Sequence, residues 1–277
     1  MILISGSSGF LGSHLTQHLR KRKKKFKIIK TKNIINKKEN FFREIKCFIH
    51  LGFDFYKGIN SIYKKDLNFR IIKKIILLSN KFKFKIIFPS TSTYKYKKNK
   101  IISKNIFAYD AYSKSKINCE KELIRNYKKN KIDTVILRIF NVYGVEQKKG
   151  WLIPDLINKI MNNSRKNIEL DYYQNTRDFI FVDDVISAIT KSINIKGLQI
   201  LNIGTSISTS LLDVLKLLMI TLRSTKKIIL MKKKSKKNHT SKADIFLTRK
   251  ILNWSPKIKI KSGLKKIVNY ERNKIKN

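Results

Sequence analysis

The sequence predicts an α/β protein with a doubly wound parallel sheet and a smaller C-terminal lobe. Short apolar segments of β type alternate with segments whose apolar residues recur at helical spacing, which is typical of parallel strands covered by helices. A glycine-rich turn joins the first strand to the first helix. The chain has 277 residues, of which 42% are hydrophobic, so it can bury a sizeable core.

The glycine-rich turn is the most informative segment. The apolar run Met1–Ser5 predicts a strand, and the residues after Gly12 predict a helix. Gly6 allows a tight turn with positive φ, Gly9 allows the backbone to approach a pyrophosphate, and Gly12 allows the helix to pack against its strand. Free N–H groups at the start of the helix favour phosphate. This context, more than the glycines alone, indicates a nucleotide site.

The remaining elements follow in order along the chain. Helices are predicted at residues 10–22, 36–46, 60–82, 110–129, 153–162, 183–194, 210–222 and 262–274. Further strands are predicted at residues 26–29, 47–51, 85–88, 133–137, 168–172, 199–203 and 227–231, with a loose loop at 232–242. The segment between the strands at 26–29 and 47–51 is short. We therefore expect the sheet to lack the third strand of a doubly wound fold, which lies at an edge.

The net charge of +45 is the most unusual property of the composition. Such a charge suggests binding to nucleic acid or to an anionic membrane surface. Lysine is spread along the whole chain, however, and isoleucine and asparagine are abundant with it. These three residues have AT-rich codons, so we favour compositional drift over nucleic-acid binding. A GC-rich coding sequence would contradict this interpretation.

Several features predict a cytoplasmic protein without membrane insertion. The first strand begins at once, without the basic segment of a secretory leader, and no apolar run is long enough to span a bilayer. Cys47 and Cys119 lie in apolar segments, as expected of buried thiols in a reducing compartment. We predict no metal site.

Tyr112 and Lys116 form the candidate catalytic pair. On a helix they lie on one face, one turn apart. A phenol has a pKa near ~10, and an adjacent ammonium favours the phenolate. Tyr112 is thus a candidate general acid or base. Such pairs are common on lysine-rich helices, but this one follows the Ser/Thr-rich strand end Phe88–Ser92.

Further motifs fall in one order along nearly the whole chain. They are Gly6–Gly12, Phe48–Leu51, Asn68, Phe88–Ser92, Tyr112 with Lys116, Leu137–Gly144, Thr176–Asp184 and Asn202–Gly204. With them the chain resembles the extended short-chain dehydrogenase/reductase family of NAD-dependent nucleotide-sugar epimerases and dehydratases.

The resemblance implies a Rossmann-type fold and its ligands. Residues 1–150 would form the NAD(P)-binding domain and residues 151–277 mainly a substrate-binding lobe, with 178–205 returning to the first domain. The implied cofactor is NAD, with NADP as the alternative, and the substrate is a nucleotide sugar. A homodimer built on the helices at 60–82 and 110–129 is also implied, with an apolar centre.

The resemblance also assigns roles to single residues. Thr91 would polarise the substrate oxygen, Tyr112 would act as acid and base, and Lys116 would bond the nicotinamide ribose. The chain is one residue short before Tyr94, so Ser90 or Ser92 could replace Thr91. The implied cofactor-binding residues are Gly6, Ser8, Gly9, Phe10, Leu11, Gly12, Leu51, Gly52, Asn68, Lys116 and Phe140. The implied substrate-binding residues are Ser92, Asn141 and Arg177.

Structural roles are the alternatives for some of these residues. Asn141 could cap a turn, and Arg177 could pair with Asp178 or Asp183. His50, in an apolar strand, is expected in the core rather than in catalysis. Trp151 and Trp254 are expected to pack rather than to stack on a base.

The chain departs from the family at three places. Lys30, Thr31 and Lys32 stand where an acid usually binds the adenosine ribose, which predicts a weak or even reversed preference for NAD over NADP. Gly52 and Phe53 replace two alanines, which narrows the cofactor cleft. Ser92 and Thr93 replace the Asp-Glu pair of the dehydratases, so dehydration is disfavoured.

A sugar-nucleotide 4-epimerase is therefore the leading functional hypothesis. A keto-sugar reductase that consumes NAD(P)H needs the same residues and is the first alternative. A catalytically idle cofactor- or RNA-binding protein is the second, although the intact Thr91, Tyr112 and Lys116 argue against it. RNA binding that weakens steeply with salt would support this last class.

Overall fold

A computed structural model describes residues 1–53, 67–92, 94–96, 106–108, 111–162, 164, 166–231 and 240–276. The chain divides into two compact units. Unit 1 comprises Met1–Ile139 with Ile186–Asn202, and unit 2 comprises Phe140–Val185 with Ile203–Asn277.

Strands and helices alternate in unit 1, and smaller sheets with helices form unit 2. The strands are β1 (Ile2–Ser5), β2 (Phe26–Ile29), β3 (Cys47–His50), β4 (Lys85–Thr91), β5 (Tyr94–Tyr96), β6 (Ile106–Ala108), β7 (Thr134–Ile139), β8 (Asn141–Tyr143), β9 (Asn167–Asp171), β10 (Thr176–Phe181), β11 (Leu198–Ile203), β12 (Ser208–Ser210) and β13 (Lys227–Met231). The α-helices are α1 (Phe10–Lys21), α2 (Leu67–Phe82), α3 (Ala111–Asn130), α4 (Leu152–Met161), α5 (Val182–Ser192), α6 (Leu211–Leu222), α7 (Phe246–Leu252) and α8 (Ile260–Lys276).

The six-stranded sheet confirms the predicted α/β class. Its order is β11-β7-β4-β3-β1-β2, and β1 to β4 and β7 pair in parallel. Strands β3, β4 and β7 are buried along their whole length, as expected of parallel strands covered on both faces. Strand β2 lies at the edge, and no strand occurs between Thr31 and Lys46. The predicted loss of the third strand is confirmed.

The helix predicted at residues 36–46 is wrong. The chain forms two short 3₁₀ turns instead, Thr31–Asn33 and Glu39–Phe42. Ile34, Phe42 and Ile45 are nearly fully buried in the core between β2 and α2. Their spacing would also fit one face of an α-helix, so the apolar pattern alone does not distinguish a helix from these turns.

Other differences concern short elements. The sequence did not predict β8, β10, β12, the antiparallel pair β5–β6, or α7. Strands of only a few residues carry too little periodicity to be recognised. The start of the helix predicted at 60–82 and most of the loop predicted at 232–242 lie outside the described residues.

Two aspartates of the segment Thr176–Asp184 hold loops of unit 2 by accepting hydrogen bonds from backbone N–H groups. The Asp178 carboxylate accepts hydrogen bonds from the backbone N–H groups of Thr205, Ser206 and Ala243 at 2.7–3.0 Å. The Asp184 carboxylate accepts from Lys257 and Ile258, at 3.0 and 2.9 Å. Trp254 packs here, as expected, and its indole donates to the Asp184 carbonyl.

A buried ion pair joins α3 to β7 in unit 1. Arg138 Nη2 lies 2.7 Å from Glu120 Oε2, and the two side chains are 3% and 2% exposed. Removing one partner leaves an uncompensated charge in the core. We therefore expect Glu120→Ala to lower the free energy of unfolding by about 3–5 kcal/mol in urea denaturation.

The double variant Glu120→Met with Arg138→Met should recover most of that loss, because neither charge remains. Arg125 pairs with Glu122 on the same helix but is 72% exposed. Arg125→Ala is the matched control and should cost less than about 1 kcal/mol. An equal cost for Glu120→Ala and Arg125→Ala would contradict the assignment.

Candidate active site

The turn between β1 and α1 has no space for side chains at two of its glycines. Gly6 has φ +72°, and a Cβ there would lie 2.3 Å from the backbone nitrogen of Gly52. A Cβ at Gly12 would lie 2.0 Å from the Gly6 carbonyl oxygen. Ser8 and Gly9 are exposed, and no side chain among the described residues caps α1. The first backbone N–H groups of α1 thus suit the pyrophosphate of a dinucleotide.

The residue Thr31, after β2, contacts Gly52, after β3, although β1 lies between the two strands. A Cβ at Gly52 would stand 1.7 Å from Thr31 Oγ1, so Gly52 makes room for the Thr31 side chain. Lys30 and Lys32 are exposed, and neither forms an ion pair within the described part of the chain. Cations rather than a carboxylate therefore flank the position where an acid was expected.

Lys116 stands in the interior of unit 1, next to β4. The residue is 4% exposed, and its ammonium donates a hydrogen bond to the Pro89 carbonyl at 2.6 Å. Burial lowers the pKa of Lys116 to about 7, partly offset by Cys119 and Glu120. The ammonium is therefore poised to lose its proton near neutral pH.

Tyr112 lies in the first turn of α3, one turn before Lys116. Its ring meets the ring of Phe53 edge-on, with centroids 5.5 Å apart. The Lys116 Nζ atom is 5.9 Å from the Tyr112 ring centroid. The helix thus brings the predicted acid/base and the predicted lysine to the same side of β4.

Thr91 is the last residue of β4 and is 8% exposed. Ser90 precedes it, and the backbone N–H of Ser92 still bonds to the Ile139 carbonyl at 3.2 Å. Successive side chains of a strand point to opposite faces, so Thr91 faces away from both serines. The three candidate hydroxyls therefore share one strand end, and the assignment to Thr91 stays a prediction.

His50 lies in the core beneath this strand end. Its Nδ1 is 2.6 Å from Ser5 Oγ, and its ring stacks on Phe88 with an interplanar angle of 16°. Burial, and to a smaller extent the charge of Lys116, lowers the pKa of His50 to about 3. The imidazole is neutral at physiological pH and forms part of the packing.

Of the other cofactor candidates, Leu51 and Asn68 belong to unit 1, and Phe140 is the first residue of unit 2. The Leu51 N–H bonds to the Ser5 carbonyl at 3.1 Å, which prolongs the β1–β3 pairing. Asn68 lies in the first turn of α2 and is 1% exposed. Phe140 belongs to unit 2, where its N–H bonds to the Ile203 carbonyl.

Arg177 and Asn141 lie in unit 2. Asn141 Nδ2 donates to the Asp178 carbonyl at 3.3 Å and approaches Ser241 Oγ at 3.5 Å, so this amide ties β8 to β10. Arg177 is half-buried, and burial lowers its pKa. Neither expected acid pairs with it, because Asp178 accepts backbone N–H groups and Asp183 pairs with Lys266. The guanidinium is available to an anionic ligand.

The sequence did not predict the contacts that two residues beside the candidate site make. Phe53 was expected only to narrow the cleft, but it contacts both Tyr112 and Lys116. Thr31 was noted only for the missing acid, but it fills the space that Gly52 leaves. The one available signal was the paired departure from alanine at positions 52 and 53.

No cluster of His, Cys, Asp or Glu side chains in the described ranges could hold a metal ion. A search of the same residues finds no helix of the length and apolarity needed to cross a bilayer.

Three features define a dinucleotide-dependent α/β enzyme: a parallel sheet, a turn with no space for side chains at Gly6 and Gly12, and a helix that carries a tyrosine–lysine pair. The model of the NAD-dependent epimerase/dehydratase family matches residues 2–204. The chain belongs to this family, which confirms the resemblance seen in the sequence.

Similar proteins include several nucleotide-sugar enzymes. A putative UDP-glucose 4-epimerase of Methanocaldococcus jannaschii is 28% identical over 305 residues, which cover 99% of both chains. A dTDP-D-glucose 4,6-dehydratase of Dictyostelium discoideum is 29% identical over 268 residues, covering 78% of this chain but only 60% of that relative. The crystal structure of a UDP-glucose 4-epimerase from Thermotoga maritima has a TM-score of 0.84 at 22% identity, covers 99% of both chains and shows the same fold.

The cations after β2 lead to a prediction about cofactor choice. We expect similar dissociation constants for NAD and NADP. The acid that usually selects for NAD by bonding the ribose hydroxyl is missing at this position. Lys30→Asp should weaken NADP binding about tenfold more than NAD binding, because a carboxylate repels the 2′-phosphate. Calorimetric titration measures both.

Lys25→Asp is the matched control, since it makes the same charge change just before β2, at the opposite end of that strand. A large NAD preference in the unaltered protein would show that selectivity comes from a different residue.

Proposed function

We propose that this protein is a nucleotide-sugar 4-epimerase. The observation that carries the proposal is the placement of the pair Tyr112 and Lys116 beside the Ser/Thr-rich end of β4, with Lys116 bonded to the Pro89 carbonyl. The putative UDP-glucose 4-epimerase relative, matched along both whole chains, supports the 4-epimerase reading.

Each proposed site residue has a separate role in such a reaction. Tyr112 takes the proton of the sugar hydroxyl at C4 and later returns it. Thr91, or a neighbouring serine of β4, bonds the same oxygen and polarises it. When bound, NAD supplies the reversible acceptance of a hydride from the sugar carbon. Lys116 holds the nicotinamide ribose and, while charged, favours the phenolate of Tyr112.

The cofactor is held mainly by backbone. The glycine turn with Ser8, Phe10 and Leu11 faces the pyrophosphate, and Leu51, Gly52, Asn68 and Phe140 complete the proposed cofactor contacts. Arg177 pairs with the phosphates of the sugar nucleotide, for which a guanidinium fork is suited, and no acid among the described residues forms an ion pair with it. Ser92 and Asn141 complete the proposed substrate contacts.

The residues after Thr91 argue against a dehydratase. Ser92 and Thr93 stand where dehydratases carry an acid pair, so no carboxyl group is available there to protonate a leaving hydroxyl. Epimerisation needs only one proton-transfer residue at C4, which Tyr112 provides.

The proposal predicts that Tyr112→Phe loses most turnover but keeps NAD binding. Phenylalanine retains the ring and its packing on Phe53, and only the hydroxyl is lost. We expect kcat to fall about 10²–10⁴-fold, measured as interconversion of UDP-glucose and its C4 epimer and of a panel of other nucleotide sugars.

Two variants of α3 serve as comparisons. Tyr127→Phe removes a hydroxyl from the far end of the helix and should leave kcat unchanged. Lys116→Met should weaken NAD binding and shift activity to higher pH, because the phenol returns toward its ordinary pKa. Near-full activity of Tyr112→Phe would contradict the proposal. Tyr94 and Tyr109 would then be the candidates for the proton-transfer residue.

We also propose a homodimer through α2 and α3. Leu77 of α2 is 64% exposed, which leaves an apolar side chain on that face. Light scattering should give the mass of a dimer at high salt, where repulsion between lysines is screened. Leu77→Lys should shift the equilibrium to monomer, while Phe246→Lys, at a residue of unit 2 that is 74% exposed, should not. A monomer mass at every salt concentration would count against the dimer.

A further inference from the structure

The Lys116 ammonium is enclosed by aromatic rings. Its Nζ lies 3.8 Å from the ring centroid of Phe53 and 4.5 Å from that of Phe88. The Tyr112 ring is third, at 5.9 Å, and the Pro89 carbonyl accepts the ammonium hydrogen bond. Ring faces and one carbonyl therefore replace most of the water that an ammonium normally binds.

Phe53 contacts both candidate catalytic side chains from outside their helix. It follows Gly52 at the end of β3, is half-buried, and packs on Phe88 with centroids 6.4 Å apart. Its ring faces the Lys116 ammonium and meets the Tyr112 ring edge-on. An alanine at this position would reach neither group.

We propose that Phe53 is a positioning residue, whose ring covers the Lys116 ammonium and packs against Tyr112, fixing both groups and keeping water from them. The inference rests on the proposed roles of Tyr112 and Lys116. In this arrangement Phe53, from outside α3, influences the ionisation of Tyr112 and Lys116.

The Phe53 ring acts on the ammonium in two opposite ways. Exclusion of water disfavours the charged form, whereas the ring face attracts it. Burial lowers the pKa of Lys116 to about 7, and the Phe53 ring, 3.8 Å from Nζ, is part of the cover that excludes water. A smaller side chain at position 53 would admit water and restore the charge of Lys116 at neutral pH.

Other ionisable groups around Lys116 do not supply this effect. Cys119 and Glu120 on α3 act in the opposite direction and raise its pKa. Glu120 is itself paired with Arg138 of β7. His50 of β3 is buried, and its lowered pKa keeps it neutral. Tyr112, also on α3, is uncharged until its phenol ionises.

Nuclear magnetic resonance of the free protein tests the proposal directly. With ¹³C-labelled lysine, the Lys116 signal is identified by its loss in Lys116→Met, and its midpoint should lie near pH 7. Ordinary lysines titrate near ~10.4, so this signal is separated from theirs. Burial also lowers the pKa of Lys85, whose signal is distinguished because it persists in Lys116→Met. Phe53→Ala should raise the midpoint by about 1 unit or more, because water reaches the ammonium.

Three further variants sharpen the result. Phe53→Leu keeps an apolar cover but loses the ring face, so its midpoint should stay at or below that of the unaltered protein. Phe53→Thr should raise the midpoint in the same direction as alanine, and it decides the question if the alanine variant does not fold. Phe41→Leu removes a ring 4.8 Å from the exposed Lys37 ammonium and should leave Lys116 unchanged.

A Lys116 midpoint that does not move in Phe53→Ala or in Phe53→Thr overturns the proposal. Turnover provides the second readout. Phe53→Ala should lower kcat about tenfold or more, because the loss of fixed positions for Tyr112 and Lys116 outweighs the gain in Lys116 charge, with a smaller change in KM for the nucleotide sugar. The titration needs neither substrate nor cofactor. If Tyr112→Phe retained turnover, the proposed function would fail, yet the titration would still decide the role of Phe53.

Discussion

The backbone contact at Gly6 is the constraint on which unit 1 depends. Three segments meet there without side chains between them: the end of β1, the start of α1 and the residues that follow β3. A Cβ at Gly6 or Gly12 would lie within 2.0–2.3 Å of backbone atoms, which no flexible side chain can relieve. The contact sets where α1 begins and how closely it approaches the sheet. The same closeness leaves uncapped backbone N–H groups at the start of α1, an arrangement that suits a phosphate.

The scarcity of acids shapes the chemistry of the whole molecule. The chain has 63 lysine and arginine residues but only 18 aspartate and glutamate residues. Several of these acids have structural tasks, since Asp178 and Asp184 hold loop backbone and Glu120 pairs with Arg138. Among the described residues, no carboxylate forms an ion pair with Lys116 or Arg177. Lys116 is stabilised by a carbonyl and by ring faces, and Arg177 is half-buried.

Strong periodicity made much of unit 1 predictable. The strands β1, β2 and β3 were predicted almost to the residue because they are apolar runs bounded by glycine or lysine. The turns at Thr31–Asn33 and Glu39–Phe42 were missed because the apolar spacing of the buried residues around them fits a helical face equally well. The contact of Phe53 with α3 joins residues far apart in the chain, and no local pattern encodes such a contact. The family was predicted correctly from its motifs, while the roles of single residues remain predictions.

The interlock of Thr31 with Gly52 constrains the order in which mutations could accumulate. The Thr31 hydroxyl occupies the volume that the Cβ of an alanine would need. Alanine at position 52 therefore requires the Thr31 side chain to move. Such a change is easier after residue 31 has become smaller, so one methyl-sized space couples the two positions. Recombination with a homologue would respect this dependence only if both positions were inherited together.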